Sequence, residues 1–181
     1  MGGLWGSFAN VCIYRLPQDK GVVSGRSYCP KCKTQISWYD NIPILSYLFI
    51  QGKCRKCKKQ ISIQYLLVEL LSVFSFVAAY FFYGITITTL LFIILGLTFI
   101  IIFFIDLKHY IIPNGLTFPL MFIGFGKSFD PNLNELFPNY INSLIGGVFG
   151  YGIIWVIIFM YKVLRNKEGM GLGDAKLLSA I

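Results

Sequence analysis

The residues of this 181-residue chain that could do chemistry fall into three groups, and the first is a pair of aspartates in apolar surroundings. Asp174 follows a run of alternating glycines that includes Gly171 and Gly173, and Asp106 follows the long apolar run 87–105. Glycine lets a second backbone approach closely. A carboxylate at membrane depth is costly without a partner or a task, so each is a functional candidate, although Asp174 could instead cap the helix that follows it.

Two carboxylates held close together can share one proton, because both cannot ionise cheaply side by side. The charged partner can deprotonate a water molecule while the protonated partner donates to a scissile carbonyl, which is aspartyl proteolysis. Three uses of Asp106 and Asp174 remain open from the residues alone. They are proteolysis, a cation or proton relay in a transporter, and two unrelated structural acids.

The second group is two Cys-x-x-Cys pairs, Cys29 with Cys32 and Cys54 with Cys57. Each pair places two thiolates on one tight turn, and two such turns complete the tetrahedral four-sulfur shell that zinc favours. A disulfide pair and redox-active thiols are the alternatives. Because four protein ligands leave no open coordination position, the sequence predicts a structural zinc site that helps to fold a loop region with little core of its own.

The third group is one residue, Glu69, which lies about two turns inside the predicted span 62–83. A carboxylate at that depth is a functional candidate by default. The alternative is a side chain that extends toward the membrane surface, where Lys58 and Lys59 could pair with it.

Membrane helices must position all three groups. The chain is 56% hydrophobic with a mean hydropathy of +0.67, which predicts an all-α polytopic membrane protein, a transmembrane helix bundle with a small cytoplasmic zinc-binding loop domain. Most of the excess positive charge lies in residues 15–60, so the positive-inside rule places this loop in the cytoplasm. The same basic loop does not favour nucleic-acid binding, because it lies between apolar spans.

The predicted organisation has three parts. Residues 1–14 form part of a first transmembrane helix, 15–60 the zinc-binding region and 61–181 the remaining membrane region, and both ends of the chain are expected to be incomplete. Spans are predicted over 62–83, 87–105, about 113–126 and 141–164. With a cytoplasmic basic loop, this order of crossings puts Asp106 and Asp174 at the same membrane edge.

An ordered set of motifs along the whole chain resembles the bacterial type IV prepilin peptidases, which are bifunctional leader peptidase/N-methyltransferases. The residues 171–174 resemble that family's GxGD motif, and 106–114 resemble its other aspartate motif. Residues 6–17 are similar to its N-terminal signature. The Cys-x-x-Cys pairs, together with residues 41–43, 46–48 and 52–54, are similar to its cytoplasmic region.

The resemblance implies an intramembrane-type aspartyl endopeptidase that acts on type IV prepilins or pseudopilins. Asp106 and Asp174 would be the proteolytic pair, and Gly171 and Gly173 would let the substrate backbone approach. The basic leader would be removed after a glycine at the cytoplasmic face of the bacterial inner membrane. A single-activity peptidase of the same group is the nearest alternative.

The resemblance also implies that the new N-terminal residue is methylated with S-adenosylmethionine. Gly52, Lys53 and Glu69 would serve this methyl transfer, while zinc would remain structural. The expected partners are therefore prepilin substrates and membrane lipid, with no nucleic acid. An alternative of a different class is a transporter or adaptor that uses the zinc loop for docking.

Overall fold

The computed structural model describes residues 1–23, 27–29, 31–129, 139–165 and 172–180. Within these ranges the chain is helical, with two short 3₁₀ turns and two isolated β-bridges but no β-strand. This confirms the predicted fold class. The chain forms two compact units, Met1–Phe104 and Ile105–Ile181. The helices are α1 Gly2–Arg15, α2 Leu45–Phe49, α3 Ile63–Tyr83, α4 Ile87–His109, α5 Asn114–Lys127, α6 Tyr140–Arg165 and α7 Leu172–Ala180.

Three of the described helices are long and apolar enough to cross a membrane, namely α3, α4 and α6. They have 21, 23 and 25 residues in their apolar spans, which gives each a length of about 30 Å or more, close to the thickness of the hydrocarbon core. The helices predicted over 62–83, 87–105 and 141–164 are thereby confirmed. Helix α5 has 14 residues and is only about 21 Å long, so a crossing by residues 113–126 stays a prediction.

Helix α4 continues past the apolar run and ends at His109, so Asp106 lies in its last turn and not in the following loop. The N–H of Tyr110 donates to the carbonyl oxygen of Asp106 at 2.9 Å, and Tyr110 then takes a left-handed φ of 54°. Pro113 follows closely, and a proline disfavours helical backbone in the residue before it. These features end the helix one turn later than the hydrophobic pattern alone indicates.

Helices α1 and α3 pack against each other in antiparallel directions through glycines. A Cβ on Gly6 would lie 2.7 Å from the Cα of Glu69, and a Cβ on Gly2 would lie 2.9 Å from the Cα of Val73. Small residues four positions apart let two helix backbones approach this closely inside a membrane. The pairing fixes which residues of the two helices lie at the same depth.

In the second unit, α7 packs on α6 and α5. A Cβ on Gly147 or on Gly150 would lie 3.3 Å from the carbonyl oxygen of Ser179 or Leu178, respectively, so the α6 glycines admit the backbone of α7. Gly146 and Gly152 lie on the same helix, but an added Cβ on either would meet no atom of the described residues within 4 Å. Among the described residues, close packing on the α6 glycines is therefore confined to Gly147 and Gly150.

Candidate functional site

The two Cys-x-x-Cys turns have the same local geometry. The N–H of Cys29 donates to the carbonyl oxygen of Thr34 at 2.9 Å, and the N–H of Lys33 donates back to Cys29 at 2.8 Å. Lys33 has a φ of 55°, which turns the chain sharply after the second cysteine. The second turn repeats both hydrogen bonds at 2.9 Å each between Cys54, Lys58 and Lys59, with Lys58 at a φ of 57°. We call these two turns the knuckles.

The knuckles bring the four predicted cysteines together. The Sγ atoms of Cys29 and Cys57 are 3.9 Å apart, those of Cys32 and Cys54 are 4.0 Å apart, and all four lie within 4.8 Å of one another. A disulfide needs about 2.05 Å between sulfurs, and these cysteines are free thiols. Four sulfurs about 2.3 Å from one ion in a tetrahedron would be about 3.8 Å apart. The cluster therefore fits a metal ion with four cysteine ligands.

Hydrogen bonds favour the thiolate, the form that binds metal, at two of the four cysteines, Cys32 and Cys54. Hydrogen bonding to Thr34 lowers the pKa of Cys32 to about 6. Hydrogen bonds from the backbone N–H groups of Cys57 and Lys56 lower the pKa of Cys54. At Cys57 a backbone hydrogen bond with Lys59 lowers the pKa, but burial and hydrogen bonds with the other cluster thiols outweigh it and raise the pKa to about 11. The knuckles thus supply the spacing for metal ligation and favour the thiolate at Cys32 and Cys54.

A cavity of about 840 Å³ lies within the first unit, lined by residues of α1, α3 and both knuckles. Of the residues expected to serve methyl transfer, Gly52 and Glu69 line it, whereas Lys53 is not among its lining residues. Cys29 and Cys54 also line it, so the metal cluster forms part of the cavity wall. Every tyrosine of residues 1–65 contributes to the lining, namely Tyr14, Tyr28, Tyr39, Tyr47 and Tyr65.

Gly52 is required by its backbone and by a neighbouring ring. Its φ is +65°, and a Cβ there would lie 2.8 Å from the hydroxyl oxygen of Tyr47. That hydroxyl donates to the carbonyl oxygen of Ile61 at 3.3 Å, while the Ile61 N–H donates to Gly52 at 2.7 Å. Gly52 therefore leaves the space that the Tyr47 ring occupies in the cavity wall.

Glu69 is 9% exposed, and its Oε2 accepts a hydrogen bond of 2.7 Å from the backbone N–H of Ile44. Ile44 has φ 62° and ψ −55°, and the N–H of Leu45 donates to the carbonyl oxygen of Pro43 at 2.6 Å. These values define a γ-turn of the strained, positive-φ type. A β-branched residue at positive φ is an outlier that the surrounding structure must hold in place.

Sequence reasoning missed an ion pair at the cavity. Arg55 donates to both carboxylate oxygens of Asp40 at 2.9 Å, and its guanidinium lies 5.5 Å from the ring centroid of Tyr39. The hydrogen bonds to Asp40 raise the pKa of Arg55. The density of tyrosines in residues 1–65 is the one sequence signal that could have indicated this aromatic cavity.

The two predicted catalytic aspartates lie in the second unit, at helix ends. Asp106 is exposed in the last turn of α4, and Asp174 is half-buried in the first turn of α7. A Cβ on Gly173 would lie 2.9 Å from the Cβ of Ile112, in the loop that follows α4. Ile112 is six residues from Asp106, at most about 20 Å along the chain. The predicted Gly171 lies outside the described residues.

A second contact joins the same two motifs. The Nζ of Lys176 donates to the Oδ1 of Asn114 at 2.8 Å and lies 5.4 Å from the ring centroid of Phe118. The first turn of α7 is thus tied to the start of α5 as well as to the loop after α4. Two aspartates carried by helix ends that meet at one loop can serve acid–base chemistry on a shared substrate.

Comparison with known proteins matches both units. Residues 1–83 match the bacterial peptidase A24 N-terminal domain, and residues 92–181 match the type IV leader peptidase family. A prepilin leader peptidase/N-methyltransferase of Vibrio cholerae is 40% identical over 188 residues, covering 97% of this chain and 71% of that protein.

Proteins with the same name in two other bacteria are similarly close. The Neisseria gonorrhoeae protein is 36% identical over 205 residues, covering 100% of this chain and 70% of its own. The Klebsiella pneumoniae protein is 37% identical over 186 residues, covering 99% and 80%. No solved structure matches the chain.

Proposed function

The chain belongs to the type IV leader peptidase family, and we propose that its two units divide the two activities named in its relatives, leader cleavage and N-methylation. It is an enzyme and a multi-pass protein of the inner membrane. The names of the relatives combine both activities, which favours a bifunctional enzyme over a single-activity peptidase, a transporter or an adaptor.

For the cleavage, we assign Asp106 and Asp174 as the acid–base pair. The contact of Gly173 with Ile112 carries this assignment, because it seats the residue before Asp174 on the loop that leaves Asp106. The ionised carboxylate would take a proton from water, and the protonated one would donate to the carbonyl oxygen of the scissile peptide. The substrate is a type IV prepilin or pseudopilin, cleaved after a glycine at the end of its basic leader.

Charge-neutral variants test the pair. Asp106→Asn and Asp174→Asn, each purified in lipid and given a synthetic prepilin, should cleave at least about 10²-fold more slowly, because each loses one acid–base group. Asp19→Asn is the matched control: Asp19 is exposed with a φ of 53°, a conformation that asparagine also adopts readily. Undiminished cleavage by either the Asp106→Asn or the Asp174→Asn variant would exclude the assignment of this acid–base pair.

For the methylation, we assign the cavity of the first unit as the binding site of the methyl donor. Its volume of about 840 Å³ suits a cofactor-sized ligand. S-adenosylmethionine, when bound, supplies a methyl group on a sulfonium cation. The tyrosine faces of the cavity would attract that cation, and the carboxylate of Glu69 adds negative charge to the same wall.

The cavity assignment is tested with a peptide that already carries a free N-terminal phenylalanine, so that methyl transfer does not depend on cleavage. Tyr14→Leu should raise the KM for S-adenosylmethionine about two- to fivefold, since Tyr14 is 38% exposed and a cation–π contact at an exposed site contributes about 0.5–1 kcal/mol. Tyr80→Leu, an exposed position on α3 away from the cavity, should leave the KM unchanged. Equal KM values for both variants would exclude the tyrosine wall from donor binding.

For the metal and the orientation, we assign zinc to the four-cysteine cluster and place the knuckles and both aspartates toward the cytoplasm. A closed shell of four sulfurs suits structural zinc, and the basic residues of the 15–60 region favour the cytoplasmic side. Metal analysis of the purified protein should give one zinc per chain. In intact spheroplasts, an external protease should not cut within residues 15–60. Cleavage there would show that this region lies on the opposite side of the membrane.

A further inference from the structure

The segment Ile42–Phe49, which contains the γ-turn and α2, lies beside the membrane helices and not beyond their ends. Pro43 packs on α1, where a Cβ on Gly3 would lie 3.1 Å from the Cβ of Pro43. The same Cβ on Gly3 would lie 3.8 Å from a methyl group of Val73 in α3. Pro43 is therefore level with Val73 along the helix pair.

The level of Val73 is deep in the span. Val73 is ten residues beyond the start of α3 at Ile63 and seven beyond Leu66. The helix is mostly apolar from Leu66 onward, although it carries the charged residue Glu69 before Val73. At 1.5 Å per residue, Pro43 lies between about 10 and 15 Å below the edge of the apolar span. Half of a hydrocarbon core is about 15 Å thick. The turn at Pro43 thus reaches well into one leaflet.

Non-helical backbone at this depth needs internal partners for its polar groups, because lipid supplies none. The γ-turn meets this condition with few donors, since Pro43 has no N–H and the Leu45 N–H donates within the turn. The Ser46 N–H and hydroxyl donate to Ile42 at 3.1 and 2.6 Å, respectively. The remaining donor of the turn is the Ile44 N–H, and Glu69 accepts it.

The outer face of the segment is apolar and exposed within the described part of the first unit. Leu45 is 54% exposed, Leu48 60% and Phe49 82%. In water such a patch would be costly, but at the depth fixed by Val73 the neighbouring phase is hydrocarbon. The depth, rather than the apolar character alone, decides what covers these side chains.

We propose that Ile42–Phe49 is a re-entrant segment inserted among the lipid acyl chains of the leaflet on the knuckle side, with Glu69 as the acceptor for the Ile44 N–H of its γ-turn. The partner of the exposed leucines and Phe49 is the acyl-chain region itself. Glu69 is a positioning residue for this insertion, and either protonation state of its carboxyl group offers an acceptor oxygen. The proposal concerns membrane insertion and holds whichever residues carry out catalysis.

Tryptophan fluorescence in proteoliposomes tests the insertion. The added emission of Phe49→Trp, taken as the difference from the parent protein, should be quenched by lipids brominated along the acyl chain and spared by aqueous iodide. Val23→Trp is the control, since Val23 is 93% exposed in the polar region 15–60, and its added emission should show the reverse pattern. Iodide quenching of Phe49→Trp without quenching by brominated lipid would overturn the proposal.

Two substitutions of Glu69 in the Phe49→Trp background test the acceptor. Glu69→Gln keeps an acceptor oxygen and should keep the lipid-quenched pattern, whereas Glu69→Leu leaves the Ile44 N–H without a partner and should shift quenching toward iodide. If Glu69→Leu does not fold, seen as loss of bound zinc, the Gln variant still decides. Loss of lipid quenching in a folded Gln variant would show that charge, and not hydrogen bonding, holds the segment.

Discussion

The close packing of Gly173 on Ile112 in the second unit makes a sharp prediction about cleavage. Gly173→Ala adds a Cβ that would lie 2.9 Å from the Cβ of Ile112, whereas carbon atoms in contact prefer about 3.5–4.0 Å. The start of α7 must therefore move by roughly 0.6 Å or more. Because Asp174 is the next residue, that movement is passed directly to its carboxyl group.

The expected loss of cleavage rate is much larger than the expected loss of stability, so the two effects can be measured separately. Overpacking destabilises by about 1–3 kcal/mol, and alanine regains about 1 kcal/mol over glycine in a helix, so the net loss of stability is at most about 2 kcal/mol. A loss of that size lowers the melting temperature by less than about 8 °C. A catalytic group misplaced by about 1 Å can lose about 10²-fold in rate. We therefore expect Gly173→Ala to slow prepilin cleavage by between about 10- and 10²-fold while the melting temperature changes little.

The assay compares initial cleavage rates and thermal unfolding for Gly173→Ala and Gly146→Ala. Gly146 lies within α6, where an added Cβ meets no atom within 4 Å, so this variant controls for the change of residue type. Methyl transfer to a precleaved peptide should be unchanged in both variants. Wild-type cleavage by a folded Gly173→Ala protein would refute the claim that this contact sets the position of Asp174.

Three further predictions concern the first unit. Cys54→Ser should abolish zinc binding, as measured by metal analysis. Methyl transfer to a precleaved peptide should be lost as well, because the cluster forms part of the cavity wall. Methyl transfer that is retained without metal would contradict this role of the cluster. Gly52→Ala should destabilise the folded protein by about 1–2 kcal/mol, because alanine at a φ of +65° is strained, and this is measured by thermal unfolding. It should also lower methyl transfer by displacing Tyr47, which a labelled-methyl assay measures. Unchanged methyl transfer would exclude the displacement. Gly6→Leu should separate α1 from α3, because its Cβ would lie 2.7 Å from the Cα of Glu69. The yield of folded protein in detergent should therefore fall. A wild-type yield would mean that the helices do not need this contact.

The features that could be predicted from sequence are those fixed locally. Long apolar runs must be helices in a membrane, because each helix satisfies its own backbone hydrogen bonds, so α3, α4 and α6 followed from composition. The pairing of four cysteines also followed, since the two turns have ligand spacing typical of zinc. Neither prediction required knowledge of how distant elements pack.

The features that could not be predicted depend on distant contacts. The residues next to Glu69 in the sequence do not indicate that it accepts a hydrogen bond from the backbone N–H of Ile44. That contact depends on a strained turn and on how α1 is placed beside α3. The cavity depends on tyrosines spread from Tyr14 to Tyr65. The end of α4 depends on a balance between helix propensity and the downstream proline, which the apolar pattern does not report.

The twofold repetition of the knuckles has a consequence for how the 15–60 region reaches its final form. Each knuckle supplies two of the four sulfur atoms. The closest sulfur pairs, Cys29 with Cys57 and Cys32 with Cys54, each join one knuckle to the other. With zinc in the cluster, as proposed above, neither knuckle could fill the coordination shell of the ion by itself, so binding of the ion would order both knuckles together. In a cell starved of metal, the part of the cavity wall that the knuckles form would then be lost, while the part that α1 and α3 form would not depend on the ion.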